Sequence, residues 1–301
     1  MPRGPHLPHV DHVVLTRFNL PSKGAESLIR AKDGWLRERV GLFEQYTIPS
    51  MEAQTVTDFA WIVYLDPDSP GWLIERLASH IDRGLFVAHY RESVAWRDVV
   101  VDARELAGGD GSVLITTNLD NDDALATDFI ERVQDQAARG WRGALYISTG
   151  LILYGDRVYL RQDHDNAFCN VIEPWSDPQT AWRDWHVMLR QHLPVRSIQG
   201  APAWLQVVHG RNVSNRPRGR LANPTRYAAL FPQALDGLAA PSRSAVAMDA
   251  LVHRPVRELR EAVRLAGKTV MFRLFGKNGI EQASRLKQVV RSRLERLTRR
   301  A

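Results

Sequence analysis

The sequence predicts a mixed α/β fold, a mainly parallel sheet flanked by helices, followed by a basic helical C-terminal extension. Three observations predict it. Over the first two thirds of the 301 residues, short β-rich runs alternate with longer amphipathic ones, the pattern of strands joined by helical crossovers. The acidic cluster Asp120-Asn121-Asp122-Asp123 stands directly after an apolar, strand-like run. Beyond Asn215 the composition shifts to Arg, Pro, Gly and Ala.

The elements follow in order. His12 to Phe18 reads as a first strand, and Trp35 to Phe43 has helical apolar spacing at Trp35, Leu36, Val40 and Phe43. Phe59 to Leu65 is a second, buried strand closed by the turn signal Asp66-Pro67-Asp68-Ser69-Pro70, and Trp72 to Ile81 is the next helix. Leu85 to Tyr90 and Ser112 to Leu119 make strands three and four. Asp122 or Asp123 is then expected to cap a helix with the stripe Leu125, Phe129, Val133 and Ala137, ended by Gly140. Ala144 to Leu153 and Arg157 to Leu160 form a hairpin about Tyr154-Gly155-Asp156, and Trp175 to His192 reads as a helix carrying Trp182 and Trp185 on one face. Trp204 to Val208 is a final strand. The expected division is a first unit at 1–215 and a mostly helical basic extension at 216–301.

Composition narrows the function classes. With 44% hydrophobic and 25% charged residues the chain is neither disordered nor collagen-like. A single cysteine, Cys169, excludes an internal disulfide, and the opening residues lack a signal-peptide pattern, so a reducing, cytoplasmic compartment is expected. No apolar run reaches the roughly 18 residues needed to span a bilayer. Net charge is +6, but residues 251–301 hold fourteen Lys and Arg against four Glu, which leaves residues 1–250 at −4. The basicity belongs to the tail, so a nucleic-acid partner for the body is not expected, and a basic nucleic-acid-binding protein stays only as a rival reading. In the tail, Leu286, Val289, Val290, Leu294 and Leu297 share one helical face amid Arg and Lys, the pattern either of a helix lying on an anionic membrane surface or of one packed on the body.

Familiar catalytic motifs are absent. There is no G-x-x-x-x-G-K-[ST], no G-x-G-x-x-G after a strand, no H-E-x-x-H and no G-x-S-x-G. What remains is the acidic cluster. Mg²⁺ and Mn²⁺ take oxygen ligands, commonly one or two carboxylates plus substrate phosphates, and Asp120 with Asp122 at a strand end supplies them. Such an ion would neutralise charge growing on a departing diphosphate. Asp and Asn are also ordinary helix caps and turn formers.

An apolar strand followed by D-x-D, in a chain whose first strand ends in Arg17-Phe18-Asn19, resembles a GT-A glycosyltransferase. More narrowly, Leu42-Phe43-Glu44-Gln45-Tyr46-Thr47-Ile48-Pro49-Ser50, Leu119-Asp120-Asn121-Asp122-Asp123-Ala124-Leu125 and Val208-His209-Gly210-Arg211-Asn212-Val213-Ser214-Asn215 resemble a bacterial rhamnosyltransferase family. The likeness covers about residues 10–215. It implies a GT-A-like, Rossmann-like architecture, a nucleoside-diphosphate sugar donor such as dTDP-L-rhamnose, a glycan or glycolipid acceptor, and Mn²⁺ or Mg²⁺ as cofactor. A sugar-nucleotide nucleotidyltransferase is the rival enzyme.

In that frame Thr16, Arg17 and Asn19 belong to the nucleotide pocket, with a surface ion pair as the other role for Arg17. Asp66 either binds base or ribose or forms its turn. Asp120 and Asp122 hold the metal and nucleotide, and His209, which resembles a late metal-binding histidine of GT-A enzymes, completes the shell, with Arg211 and Asn212 able to bind phosphate oxygens. An inverting transferase needs a carboxylate base, and Asp163, Asp165 and Glu173 are candidates. Glu173 is favoured because it follows a largely apolar run and precedes Pro174 at an expected helix start, although a helix-start Glu has a structural use as well. Trp175 is the tryptophan nominated for the acceptor.

Overall fold

A computed structural model describes residues 10–21, 34–109, 111, 113–209 and 217–263. The main sheet has seven strands in the order β10-β6-β9-β4-β1-β2-β3. These are β1 (Val10–Arg17), β2 (Ala60–Leu65), β3 (Val87–Tyr90), β4 (Val113–Asn118), β6 (Gly143–Ile147), β9 (Asn170–Pro174) and β10 (Val195–Ile198). All neighbours are parallel except β9, which runs antiparallel to both β4 and β6. The inner strands are near-continuous Val, Ile and Leu because helices cover both faces. Alternation along β1 sends Val14 toward Phe43, Trp61 and Leu73 on one face, and Val13 and Leu15 toward Tyr64, Val99 and Ala103 on the other.

The crossovers are helical. Between β1 and β2 run α1 (Trp35–Leu42), a π turn (Phe43–Thr47) and α2 (Ile48–Glu52). Next come α3 (Gly71–Asp82) between β2 and β3, α4 (Trp96–Ala107) between β3 and β4, and α5 (Phe129–Ala138) after β4. Gly140 takes φ +84 just past α5, the left-handed stop expected there.

A second sheet, in the order β12-β8-β7-β11-β5, packs beside the first. It comprises β5 (Ala124–Leu125), β7 (Thr149–Tyr154), β8 (Arg157–Gln162), β11 (Trp204–Val208) and β12 (Arg220–Ala222). Strands β7 and β8 are the expected antiparallel hairpin, and β11 lies parallel to β7.

Several expectations are corrected. The run Ala144 to Leu153 is two strands in two sheets, divided at Ser148, whose amide and hydroxyl both bond Ile198 O. Asp122 and Asp123 cap no helix: β5 intervenes, and α5 starts after Asp128. Trp175 to His192 is not an α-helix. Glu173 draws the amides of Gln179 and Thr180 into a turn, Thr180 takes φ +65, and only a 3-10 segment, His186–Gln191, follows. Helices α2 and α4 and strands β5, β9, β10 and β12 have no counterpart in the sequence reading, so β11 is not the last strand.

Beyond residue 216, β12 pairs with β8, and Phe231, Ala234 and Leu235 join a core shared with Leu151 and Leu205. From Arg243 to residue 263 the chain is helical, beginning with α6 (Arg243–Met248), where the Ser242 hydroxyl accepts from Ala245 N. Asp249 fastens this helix to β12 by accepting from Leu221 N and Arg257 Nη1. Among the described residues no helix is long and apolar enough to cross a membrane. The expected tail stripe, Leu286 to Leu297, lies outside the described residues, as do Arg211 and Asn212.

Candidate active site

The acidic cluster is built from the end of β4 outward. Leu119 is fully buried and its amide bonds Leu15 O, so the chain must turn at the carboxyl edge of the sheet immediately afterwards. Asn121 pins that turn to β1, its Nδ2 donating to Phe18 O at 2.6 Å. From α1, Arg39 Nη1 reaches Asn121 Oδ1 at 3.1 Å and Asp122 Oδ2 at 2.6 Å. The end of β11 brings His209 Nε2 to 3.1 Å from the same Asp122 oxygen, and His209 Nδ1 lies 3.6 Å from Glu38. Asp123 is buried: Oδ1 accepts from Val207 N, its carbonyl accepts from Thr47 Oγ1, and its Oδ2 has no hydrogen-bond partner among the described residues.

The three carboxylates differ sharply in charge preference. Asp120 is open to solvent on one side but crowded on the others; poor hydration and the Asp122 charge push it up to about 6, against a hydrogen bond from Asn118 and the guanidinium charges of Arg39 and Arg17. Burial would raise Asp122 as well, yet the His209 hydrogen bond and the Arg39 charge outweigh it and hold Asp122 below the usual carboxylate range. Asp123, deep and beside two acids, is raised. Ligand atoms of Asp120, Asp122 and Asp123 all lie within 4.8 Å of one another. Two oxygens on opposite sides of a Mg²⁺ ion stand about 4.2 Å apart, so the cluster fits a hard cation with slight closure. The unpartnered Oδ2 of Asp123 agrees with that.

A family model described as "Putative rhamnosyl transferase" matches residues 11–221, more than two thirds of the chain. The protein belongs to this family. Its mainly parallel sheet carries a D-x-D-like acidic cluster at the carboxyl edge of β4. A search of curated proteins returned no match. Among solved structures it is similar to S. aureus TarS 1–349 in complex with UDP-GlcNAc, at 11% identity over 66% of this chain and 59% of that one, TM-score 0.43. It is also similar to a "putative nucleotide-diphospho-sugar transferase" from Desulfovibrio desulfuricans G20, at 9% identity over 66% and 81%, TM-score 0.34. The chain thus spans about 59% of the length of the TarS fragment. Likeness this distant carries no argument about substrate.

Around the acidic cluster, the residues expected from sequence divide. Asp120, Asp122 and His209 come together. Arg17 is exposed at the end of β1, its Cζ 4.2 Å from the Trp182 ring centroid, and its charge acts on Asp120. Thr16 is fully buried, its hydroxyl accepting from Trp61 Nε1, so it supports the wall behind the edge and does not face it. Asn19 is buried and spans the β1 and β2 ends, accepting from Asp66 N and donating to Ser69 Oγ. Asp66 forms its turn, one carboxylate oxygen accepting from Asp68 N.

Glu173 stands apart from the acidic cluster. It lies inside β9 opposite Leu114, near the start of β4, four residues and about 13 Å of strand from Asn118 at the active edge. Its carboxylate is consumed by the amides of Gln179 and Thr180, and the raised pKa comes first from burial. Trp175, at the same far end, is buried with Nε1 donating to Asp11 Oδ2. Sequence reasoning missed Arg39, Thr47, Asn118 and Trp182, the last of which donates to Asn118 Oδ1 at 2.7 Å. The segment 42–50 signalled Thr47; nothing local signals that Arg39 faces Asp122 across 83 residues.

Proposed function

We propose that this rhamnosyl transferase family member moves a sugar, L-rhamnose first among candidates, from a nucleoside-diphosphate donor such as dTDP-L-rhamnose to a hydroxyl of a glycan or glycolipid. The observation that most supports this is the Asp120, Asp122 and Asp123 cluster at the carboxyl end of β4, where open α/β sheets take their ligands. Asp120 and Asp122, with Asp123 and His209, would hold Mn²⁺ or Mg²⁺. That ion supplies positive charge to the departing diphosphate. Arg17, stacked on Trp182 beside Asp120, offers a planar fork for phosphate oxygens. Asn19 keeps the β1 and β2 ends together, and Asp66 has one carboxylate oxygen without a partner among the described residues for the ribose or base.

We read the transfer as inverting, which calls for a carboxylate at the acceptor hydroxyl. With Glu173 removed to the far end, Asp163 and Asp165 remain. They follow β8 in a loop tied to the carboxyl end of β6: Asp163 N donates to Ser148 O, and Asn166 Nδ2 donates to Ile147 O. We take the transferase unit, residues 1–215 by sequence, to include β12 and the packed residues up to Leu238. The basic remainder would hold the protein at an anionic membrane surface on the cytoplasmic side, with no nucleic-acid partner.

The test is a donor screen of the purified protein with Mn²⁺, reading nucleoside diphosphate release. Release from dTDP-L-rhamnose, abolished by chelator and lowered roughly 100-fold by Asp122→Asn, is the expected result. Release of inorganic diphosphate would mark a nucleotidyltransferase, and undiminished turnover with chelator would remove the metal. The base should reveal itself among Asp163→Asn and Asp165→Asn as the variant that binds donor and does not transfer.

A further inference from the structure

The segment 42–50 is one of three that carry the family resemblance, yet the acidic cluster uses only Thr47 from it. Phe43 belongs to the core, in edge contacts with Phe18 and Phe86. Leu42 and Tyr46 have another setting. With the tip of the β7–β8 hairpin and the end of β11 they line a cavity of about 630 Å³. The π turn helps make it, since Phe43 and Thr47 are both buried there while Tyr46 stays half-buried on the cavity wall. π turns of this kind recur at functional sites.

The position of the cavity is informative. Val208 of β11 pairs with Tyr154 of the parallel strand β7, so the cavity lies at the carboxyl ends of a parallel pair, where α/β sheets admit ligands. His209, the next residue, is part of its wall and touches Asp122 at 3.1 Å. Cavity and acidic cluster therefore share a residue. The donor-side residues Arg17, Asn19 and Asp66 stand at the ends of β1 and β2 instead, in the other sheet.

The lining has a definite chemistry. Tyr46 and Tyr154 contribute aromatic rings, while Tyr159 is buried with the Arg257 guanidinium over its ring. Tyr154 is 48% exposed at the hairpin tip. Asp156 and Arg157 add one carboxylate and one guanidinium whose charges offset. Rings with flat apolar faces and polar edges, beside a neutral pair of charged hydrogen-bonding groups, suit a pyranose, with its C–H face on the rings and its hydroxyls on the polar groups. A phosphate or nucleic acid would want an excess of cations, which the described residues of this wall do not offer.

We infer that this cavity is an outer acceptor subsite, about 20 Å along β8 from Asp163, and that it holds an uncharged saccharide unit other than the one carrying the reacting hydroxyl, seated against Tyr154 and Tyr46 beside His209. The inference rests on the transferase reading above. Its test uses two probes on the full chain: saturation-transfer NMR with a panel of methyl pyranosides, and calorimetric binding of dTDP with Mn²⁺. At least one glycoside should bind in the roughly millimolar range, and Tyr154→Ala should weaken it roughly fivefold or more while dTDP still binds. Asp122→Asn should do the reverse, with thermal midpoints as the folding control. No glycoside binding by the wild type, or equal binding by Tyr154→Ala and Tyr46→Leu, overturns the subsite. Glycoside binding through Tyr154 without dTDP binding would instead sink the donor reading and leave the saccharide site standing.

Discussion

His12 is buried in β1 with one ring nitrogen satisfied and the other bare. The Thr117 hydroxyl donates to Asn170 Oδ1, so it must accept from His12 Nε2–H at 2.8 Å, leaving Nδ1 unprotonated and without a partner among the described residues. Burial lowers its pKa from 6.5 to about 3. A histidine depressed in the fold contributes stability that is complete above pH 6.5 and drains away as pH falls toward 3, because only the unfolded chain takes the proton. Denaturant titrations should show about 2 kcal/mol lost between pH 7 and pH 5, a slope that His12→Gln removes. A slope unchanged in the variant would assign the loss elsewhere. Glu173 calls for a different measurement. Glu173→Gln should retain transfer activity and lose about 1–2 kcal/mol of stability, since its carboxylate holds the amides of Gln179 and Thr180 away from the acidic cluster. A collapse of turnover with unchanged melting would restore it as the base.

At the scale of elements, the join between the two sheets decides how the site is assembled. Gly150 in β7 lies under the Trp204 indole of β11, where an added Cβ would stand 2.0 Å from a ring carbon. That indole also stacks on Phe168, with centroids 5.0 Å apart, and donates to Ile147 O, so it cannot withdraw. Gly150→Ala should cost about 1–3 kcal/mol by overpacking, read as a lower thermal midpoint. Because β11 also carries Val207 and leads to His209, the same variant should weaken Mn²⁺-dependent donor binding. Full metal affinity in a destabilised Gly150→Ala would separate the sheet join from the site.

For the whole molecule the notable feature is the separation of charge. Residues 251–301 hold a net +10 against −4 for the rest, while the helical stretch from 243 to 263 is tied to the body through Asp249, Arg257 and the Arg218–Glu261 pair. The cation excess lies mostly beyond that anchored stretch, which suits attraction to an anionic lipid surface at about 1 kcal/mol per basic residue close to it. Truncation after Gly279 should release the protein from phosphatidylglycerol vesicles in a flotation assay, with donor turnover in solution little changed. Equal vesicle binding by the truncated chain would assign the tail to packing on the body.

Local patterns were enough for the alternating strands and helices, the hairpin about Gly155, the stop at Gly140 and the acidic cluster at a strand end, since each rests on side-chain period or turn chemistry within a few residues. The same patterns could not show where a continuous apolar run changes sheets, because burial in either sheet selects the same Val, Leu and Ile; Ser148 marks the change only through its bonds to Ile198. Nor could they orient β9. Its antiparallel course carries Glu173 away from the edge that Asp120 occupies, and an apolar run reads alike in both directions. Asp120 and Asp122 stand one residue apart in the sequence and so were legible as a metal pair. The ion pair of Arg39 with Asp122, the bond from Val207 to Asp123 and the approach of His209 join residues more than 80 positions apart, and only the packing of α1 and β11 against the end of β4 brings them together.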